Sequence, residues 1–144
     1  MIQIPAEVHE QMIQHALAEL PNEACGFLAG SGDVVSGYHP VRNEDESGIT
    51  YLMEAGDRFR AEKQIEDNAQ EVVGIFHSHI HTEAYPSPTD RERAYWRDPV
   101  SGERGAIYPG TRYVIASAED SAGPVVRAFR ILPDDVEEEE VKVV

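Results

Sequence analysis

Cysteine is almost absent. Cys25 is the only one in 144 residues, so no internal disulfide can form. The fold must rest on an apolar core, and a chain of this length can bury one without disulfides or a structural metal. Residues 1–144 are expected to form a single domain with an acidic tail from about residue 133. Cys25 reads as a small buried hydrophobe. A chain without disulfides fits a cytoplasmic protein. Long apolar runs are also missing. Residues 72–76 and 113–118 are among the longest, far below the roughly 20 residues of a membrane span. The opening Met1-Ile2-Gln3-Ile4-Pro5 lacks the basic region and apolar stretch of a signal peptide. No membrane role is expected.

Positive charge is scarce. Lys63 and Lys142 are the only lysines beside ten arginines, and the formal net charge is −15. A surplus of acid with few lysines suits a protein kept soluble in high salt, where self-repulsion is screened. Maximum stability well below 1 M NaCl would contradict that habitat. The same charge speaks against nucleic-acid binding, which depends on neutralising phosphates.

Hydrophobic patterning predicts a mixed α/β fold, a mainly antiparallel curved sheet flanked by helices. Residues 5–20 read as an amphipathic helix with Val8, Met12, Ala16, Leu17 and Leu20 inward. Residues 23–29 and 34–38 form a hairpin around a turn at 30–33. A polar loop at 41–48 leads to a short strand at 49–53. A second helix covers 57–68, with Phe59 and Ile65 inward. The apolar run at 72–77 reads as a strand covered on both faces. A third helix opens at Ser87 and runs to about Trp96, followed by an exposed loop at 98–110. Strands at 111–117 and 125–132 flank a turn at 120–124. The tail frays or adds a final strand.

The densest chemistry lies in one stretch. His77 and His79 end the buried strand, and residues i and i+2 of a strand point the same way. Both imidazoles can thus reach one ion at about 2.0–2.1 Å. Asp90, in the first turn of the next helix, can bring a carboxylate to the same place. Two imidazoles, one carboxylate and a free position suit a catalytic Zn²⁺, with other divalent ions also possible. Ser87-Pro88-Thr89-Asp90 is also a helix-capping pattern. Taken alone it favours the cap; after H-x-H it favours the metal, and both roles can coexist. His81 has the same parity but reads as a pocket or surface residue. His9, His15 and His39 lack partner spacing and are placed on helix surfaces or loops. A hydrolase also needs a base, and spacing alone does not choose it among 27 acids.

The pattern H-x-H, seven residues, S-x-x-D, with an upstream Glu in Pro21-Asn22-Glu23-Ala24-Cys25-Gly26-Phe27-Leu28, resembles the JAMM (MPN+) metallopeptidase family along nearly the whole chain. Small bacterial members acting on a ubiquitin-like sulphur-carrier protein are the most similar, as in Thr82-Glu83-Ala84-Tyr85-Pro86-Ser87. The resemblance implies an MPN/JAB-like fold with a cytidine-deaminase-like layout. It implies one Zn²⁺ on His77, His79 and Asp90, with Glu23 as general base and then acid. Ser87 would donate to the oxyanion, and Ser78 would orient the loop. The implied reaction is hydrolysis of the amide after the Gly-Gly tail of a ubiquitin-like carrier protein, with cysteine as a leaving group. The rival readings are a non-catalytic MPN-type interaction module and a DNA-repair-associated relative. Residues 91–110 look longer than the matching segment of the small peptidases.

Overall fold

The computed structural model describes every residue except Ser121, so that part of the expected 120–124 turn lies outside the described residues. A short strand β1 (Ile2–Ile4) leads into helix α1 (Ala6–Ala18). Pro5 is its N-cap, and Val8, Met12 and Ala16 are buried. Leu20 lies beyond the helix and is 40% exposed, contrary to its expected inward position. Strands β2 (Cys25–Ser31) and β3 (Val34–Val41) form the expected hairpin, turning at Gly32 and Asp33. Gly32 has φ +60°, a conformation that glycine adopts without steric cost.

Residues 49–53 are not a strand. Asn43 and Met53 make one isolated bridge, and Ile49 points into solvent. The β-rich composition there is overridden by side-chain hydrogen bonds that fold the segment into a loop. Helix α2 (Ala55–Asp67) is capped by Glu54, whose carboxylate accepts from the N–H groups of Gly56 and Asp57. Ala61 and Ile65 face the core, whereas Phe59 is 66% exposed, correcting its expected burial.

Strand β4 (Glu71–His79) is the centre of the fold. It pairs antiparallel with β2 and parallel with β7 (Arg112–Ser117). A register shift opposite the Leu28/Ala29 step resets its alternation. Val73 and Phe76 therefore join α1 in one core, with Ile2, Ile4 and Met12. Ile75 joins α2 in the other, with Cys25, Phe27 and Tyr113. Both faces of β4 are covered, which explains its unbroken apolar run. Helix α3 (Pro88–Arg93) is shorter than expected, and Trp96 lies instead on β5 (Tyr95–Arg97). β5 pairs with β6 (Arg104–Ala106), so the expected 98–110 loop holds half of a separate hairpin.

The strand order of the main sheet is β10-β1-β3-β2-β4-β7-β8-β9, where β8 is Val125–Ile131, β9 is Val136–Glu139 and β10 is Val141–Val143. Its two outermost strands are consecutive in the chain, separated only by Glu140. The C-terminal segment thus pairs first with β8 and then in parallel with β1, closing the curved sheet on itself. The Glu140 carbonyl accepts from Ile2 N–H, and Val144 N–H donates to Ile4 C=O. Glu139 is held by the buried guanidinium of Arg112, whose Nε donates at 3.0 Å. The acidic tail is therefore structural. Deleting residues 136–144 is expected to expose Ile2 and Ile4, both 0% exposed, and to lower Tm by roughly 10 °C or more. A thermal melt followed by circular dichroism checks this. Among the described residues no helix is long and apolar enough to cross a membrane.

Candidate metal centre and active site

Three candidate ligand atoms converge at the carboxyl end of β4. His77 Nε2 lies 3.1 Å from His79 Nε2 and 3.0 Å from Asp90 Oδ2, and His79 Nε2 lies 3.1 Å from the same oxygen. All three residues are buried. A tetrahedral ion with bonds of about 2.0–2.1 Å separates its ligand atoms by roughly 3.3–3.4 Å. The triangle is therefore close to the size that a single small cation requires, and two nitrogens with one carboxylate oxygen form a Zn²⁺-type donor set.

The surroundings fix which atoms face inward. His79 Nδ1 donates to the Glu83 carbonyl at 2.8 Å, leaving the Nε2 lone pair directed at the cluster. His77 has no such partner for Nδ1 among the described residues; its ring stacks on Tyr51, with centroids 4.4 Å apart. Burial lowers the basicity of His77, opposed by Asp90, so it favours the neutral form that a metal ligand needs. Burial also works against a charged His79, but Asp90, the Glu83 carbonyl and Glu23 more than offset it, raising its pKa. Burial raises the Asp90 carboxyl too. The facing His77 and His79 and the Ser87 N–H outweigh this and hold it well below the usual carboxylate range.

The capping box that the sequence allowed is present, and it leaves Asp90 beside the two histidines. Ser87 Oγ accepts from Asp90 N–H at 3.0 Å, and Asp90 Oδ2 accepts from Ser87 N–H at 2.9 Å, a reciprocal capping box. The oxygen that caps the helix is the one that faces both histidines. The Ser87 hydroxyl keeps its own proton free to donate.

Glu23 precedes β2 and is 3% exposed. Burial pushes its carboxyl up to about 7, with His79 pulling the other way. Its Oε1 is buried without a hydrogen-bond partner. Ser78 aligns this residue with the histidines: its hydroxyl accepts from Ala24 N–H at 2.8 Å, and its N–H donates to the Ala24 carbonyl at 3.0 Å. Ser78 thus ties the Glu23 segment to the strand that carries both imidazoles. His81 is exposed and outside the cluster. His15 is not a free surface residue; its Nδ1 lies 2.6 Å from the Tyr38 hydroxyl.

Composition and spacing did not single out three residues that shape the site: Asn43 in the expected polar loop, Tyr51 in the expected strand at 49–53 and Arg93 in the expected third helix. Asn43 uses its whole amide. Nδ2 donates to the carbonyls of Glu23 and Thr50, and Oδ1 accepts from Asp45 and Leu52 N–H. Tyr51, on the same loop, covers His77. Arg93 donates to Asp45 at 2.9 Å and to the Tyr51 carbonyl at 2.7 Å, joining the loop to α3. The sequence signal for Asn43 is an Asx turn, which reports the turn but not its tie to Glu23. Asn43→Ala is expected to cost about 1–3 kcal/mol, since it strands buried groups. It should also lower kcat by roughly 10-fold with zinc content unchanged, as read by melts, steady-state rates and metal analysis.

Comparison with known proteins agrees with this geometry. The family described as prokaryotic homologs of the JAB domain matches residues 5–132. A CysO-cysteine peptidase of Mycobacterium tuberculosis is 34% identical over 143 residues, 98% of this chain and 90% of the relative. A desampylase of Haloferax volcanii is 31% identical over 125 residues, 82% of this chain and 81% of the relative. The solution structure of a protein from Desulfitobacterium hafniense superposes with a TM-score of 0.83 at 33% identity, covering 100% of this chain and 93% of that one. A full-length match at this identity, on a buried His-His-Asp cluster, places the chain among the prokaryotic homologues of the JAB domain, a metallopeptidase family of the JAMM/MPN type.

Proposed function

We propose that residues 1–144 act as one catalytic domain holding one Zn²⁺ on His77 Nε2, His79 Nε2 and Asp90 Oδ2. The reaction is hydrolysis of the amide that follows the Gly-Gly tail of a ubiquitin-like sulphur-carrier protein, releasing cysteine. The observation that carries this reading is the convergence of the three ligand atoms beside a buried carboxylate with an unpartnered oxygen. The substrate class is supported by two relatives named for cleaving carrier conjugates.

A divalent ion held by His77, His79 and Asp90 would supply Lewis-acid polarisation of the amide carbonyl and would make water a nucleophile near neutral pH. Glu23 would take one proton from the attacking water as the water oxygen bonds to the carbonyl carbon. It would then return the proton to the leaving nitrogen as the C–N bond breaks. Ser87 would donate a hydrogen bond from its hydroxyl to the developing oxyanion while its oxygen still accepts from Asp90 N–H. Asn43 and Ser78 grip the two polar groups of the peptide that follows Glu23, its carbonyl and the Ala24 N–H.

Incubating the zinc-loaded protein with a carrier–cysteine conjugate, with and without chelator, tests the reading by intact mass. The expected result is a carrier shortened by one cysteine, and only without chelator. An uncleaved conjugate alongside stoichiometric zinc would overturn it.

A further inference from the structure

Four of the ten arginines lie within residues 91–104, although the chain carries a net charge of −15. They sit on α3 and on the β5–β6 hairpin, which stands outside the main sheet. Arg93 is committed to Asp45 and the Tyr51 carbonyl. The other three line a surface groove of about 370 Å³ together with Glu92, Tyr95 and Trp96. Arg104 is held at its edge by the Pro133 carbonyl and Asp134, each at 2.9 Å, and Arg97 by the Gly102 carbonyl at 3.2 Å. Arg91 and Arg97 have no acidic partner among the described residues.

Trp96 completes the groove. It is 52% exposed, the largest apolar surface a side chain can offer, in a protein whose other bulky aromatics are mostly covered. Its indole lies against Gly105, where a Cβ would stand 2.3 Å from the ring. Glycine at that position lets the ring lie flat on the hairpin with its other face open. Trp, Tyr and Arg are the residues that concentrate binding energy at protein interfaces. Arg91 directly follows the Asp90 of the metal cluster on α3, so the groove and the active site share one short helix.

We propose that this groove is an exosite that docks an acidic face of the folded carrier protein while its tail occupies the cleft. This rests on the carrier-peptidase reading above. An acidic carrier is repelled by most of this surface once it comes within a screening length of about 8–10 Å. The arginine groove is the place where that sign reverses, so it selects both the partner and its orientation. Glu92 narrows the match by rejecting acids at its own edge of the groove.

The test compares two substrates. One is the intact ubiquitin-fold sulphur carrier of the same genome, joined through its terminal glycine to a reporter peptide. The other is the isolated tail peptide with the same reporter. Arg91→Glu/Arg97→Glu and, separately, Trp96→Ala are expected to lower kcat/KM on the intact carrier by about 10–100-fold. On the tail peptide they should change it less than about two-fold, with zinc content unaltered. The advantage of the unaltered enzyme over the Arg91→Glu/Arg97→Glu variant on the carrier should shrink as NaCl rises, because salt screens the groove contact. Equal effects on both substrates, or none on the carrier, would overturn the exosite and leave the carrier reading standing. Zinc-loaded enzyme that cleaves neither substrate would overturn both.

Discussion

Glu23→Gln is expected to bind zinc normally and to lose about 10²–10⁴-fold in kcat, the range that general acid–base catalysis contributes. Glutamine has the same shape, and the hydrogen bonds that position this segment are made by backbone atoms: Glu23 N–H to the Ser47 carbonyl at 2.7 Å, and the Glu23 carbonyl to Asn43. The substitution therefore removes the proton-accepting oxygen and little else. A second effect has the opposite sign. Burial holds the folded carboxyl at about 7, above its ordinary 4.5. A raised acid favours folding in its protonated form, so in metal-stripped protein this group's penalty is absent below about pH 4.5 and grows until about pH 7. Metal-stripped Glu23→Gln should then be more stable than the parent by about 1–3 kcal/mol at pH 8, and equal to it near pH 4. Steady-state rates with metal analysis test the first effect, and chemical melts at both pH values test the second. Full activity in the glutamine variant would remove Glu23 from the mechanism.

Asp90 should separate two functions by substitution. Asp90→Ala and Asp90→Asn both remove the charged oxygen that faces His77 and His79, so both are expected to take zinc from one per chain to near none and to abolish hydrolysis. Only alanine also loses the acceptor for Ser87 N–H. The metal-free alanine variant should therefore be less stable than the asparagine variant by about 1 kcal/mol, the usual worth of a helix cap. In the parent protein, zinc at 1,000 times its dissociation constant adds about 4 kcal/mol, which a chelator should remove as a fall in Tm. Zinc retained at full occupancy by either variant would exclude Asp90 from the ligand set.

The parts of this site that were legible in the sequence share a short-range code. His77 and His79 are related by the parity of one strand, and Ser87 and Asp90 by one turn of helix. The apolar run before His77 signalled a strand covered on both faces, as the two cores flanking β4 bear out. Glu23 needed the family resemblance, because its relation to His79 is made by pairing between β2 and β4. Phe59 misled because helical spacing marks a face without saying whether the sheet extends far enough to cover it. Trp96 misled because the capping box predicts where α3 begins, whereas its end depends on β5 pairing with β6. Asn43 was the least visible: only its turn to Asp45 is local, and its three other hydrogen bonds reach Glu23, Thr50 and Leu52, which folding brings near.

The final strand also imposes an order on biosynthesis. Ile2 pairs with Val141 and Ile4 with Val143, nearly the full length of the chain apart. Closing so long a loop is entropically unfavourable until most other contacts exist, so this pairing belongs late in folding. It also needs residues synthesised well over a hundred positions after Ile2. A nascent chain can assemble β2, β3, β4 and α2 as they emerge, but its first strand must wait uncovered for its last. Pulse-labelled hydrogen exchange should find the amides of Ile2 and Val144 protected after those of Phe27 and Ile75.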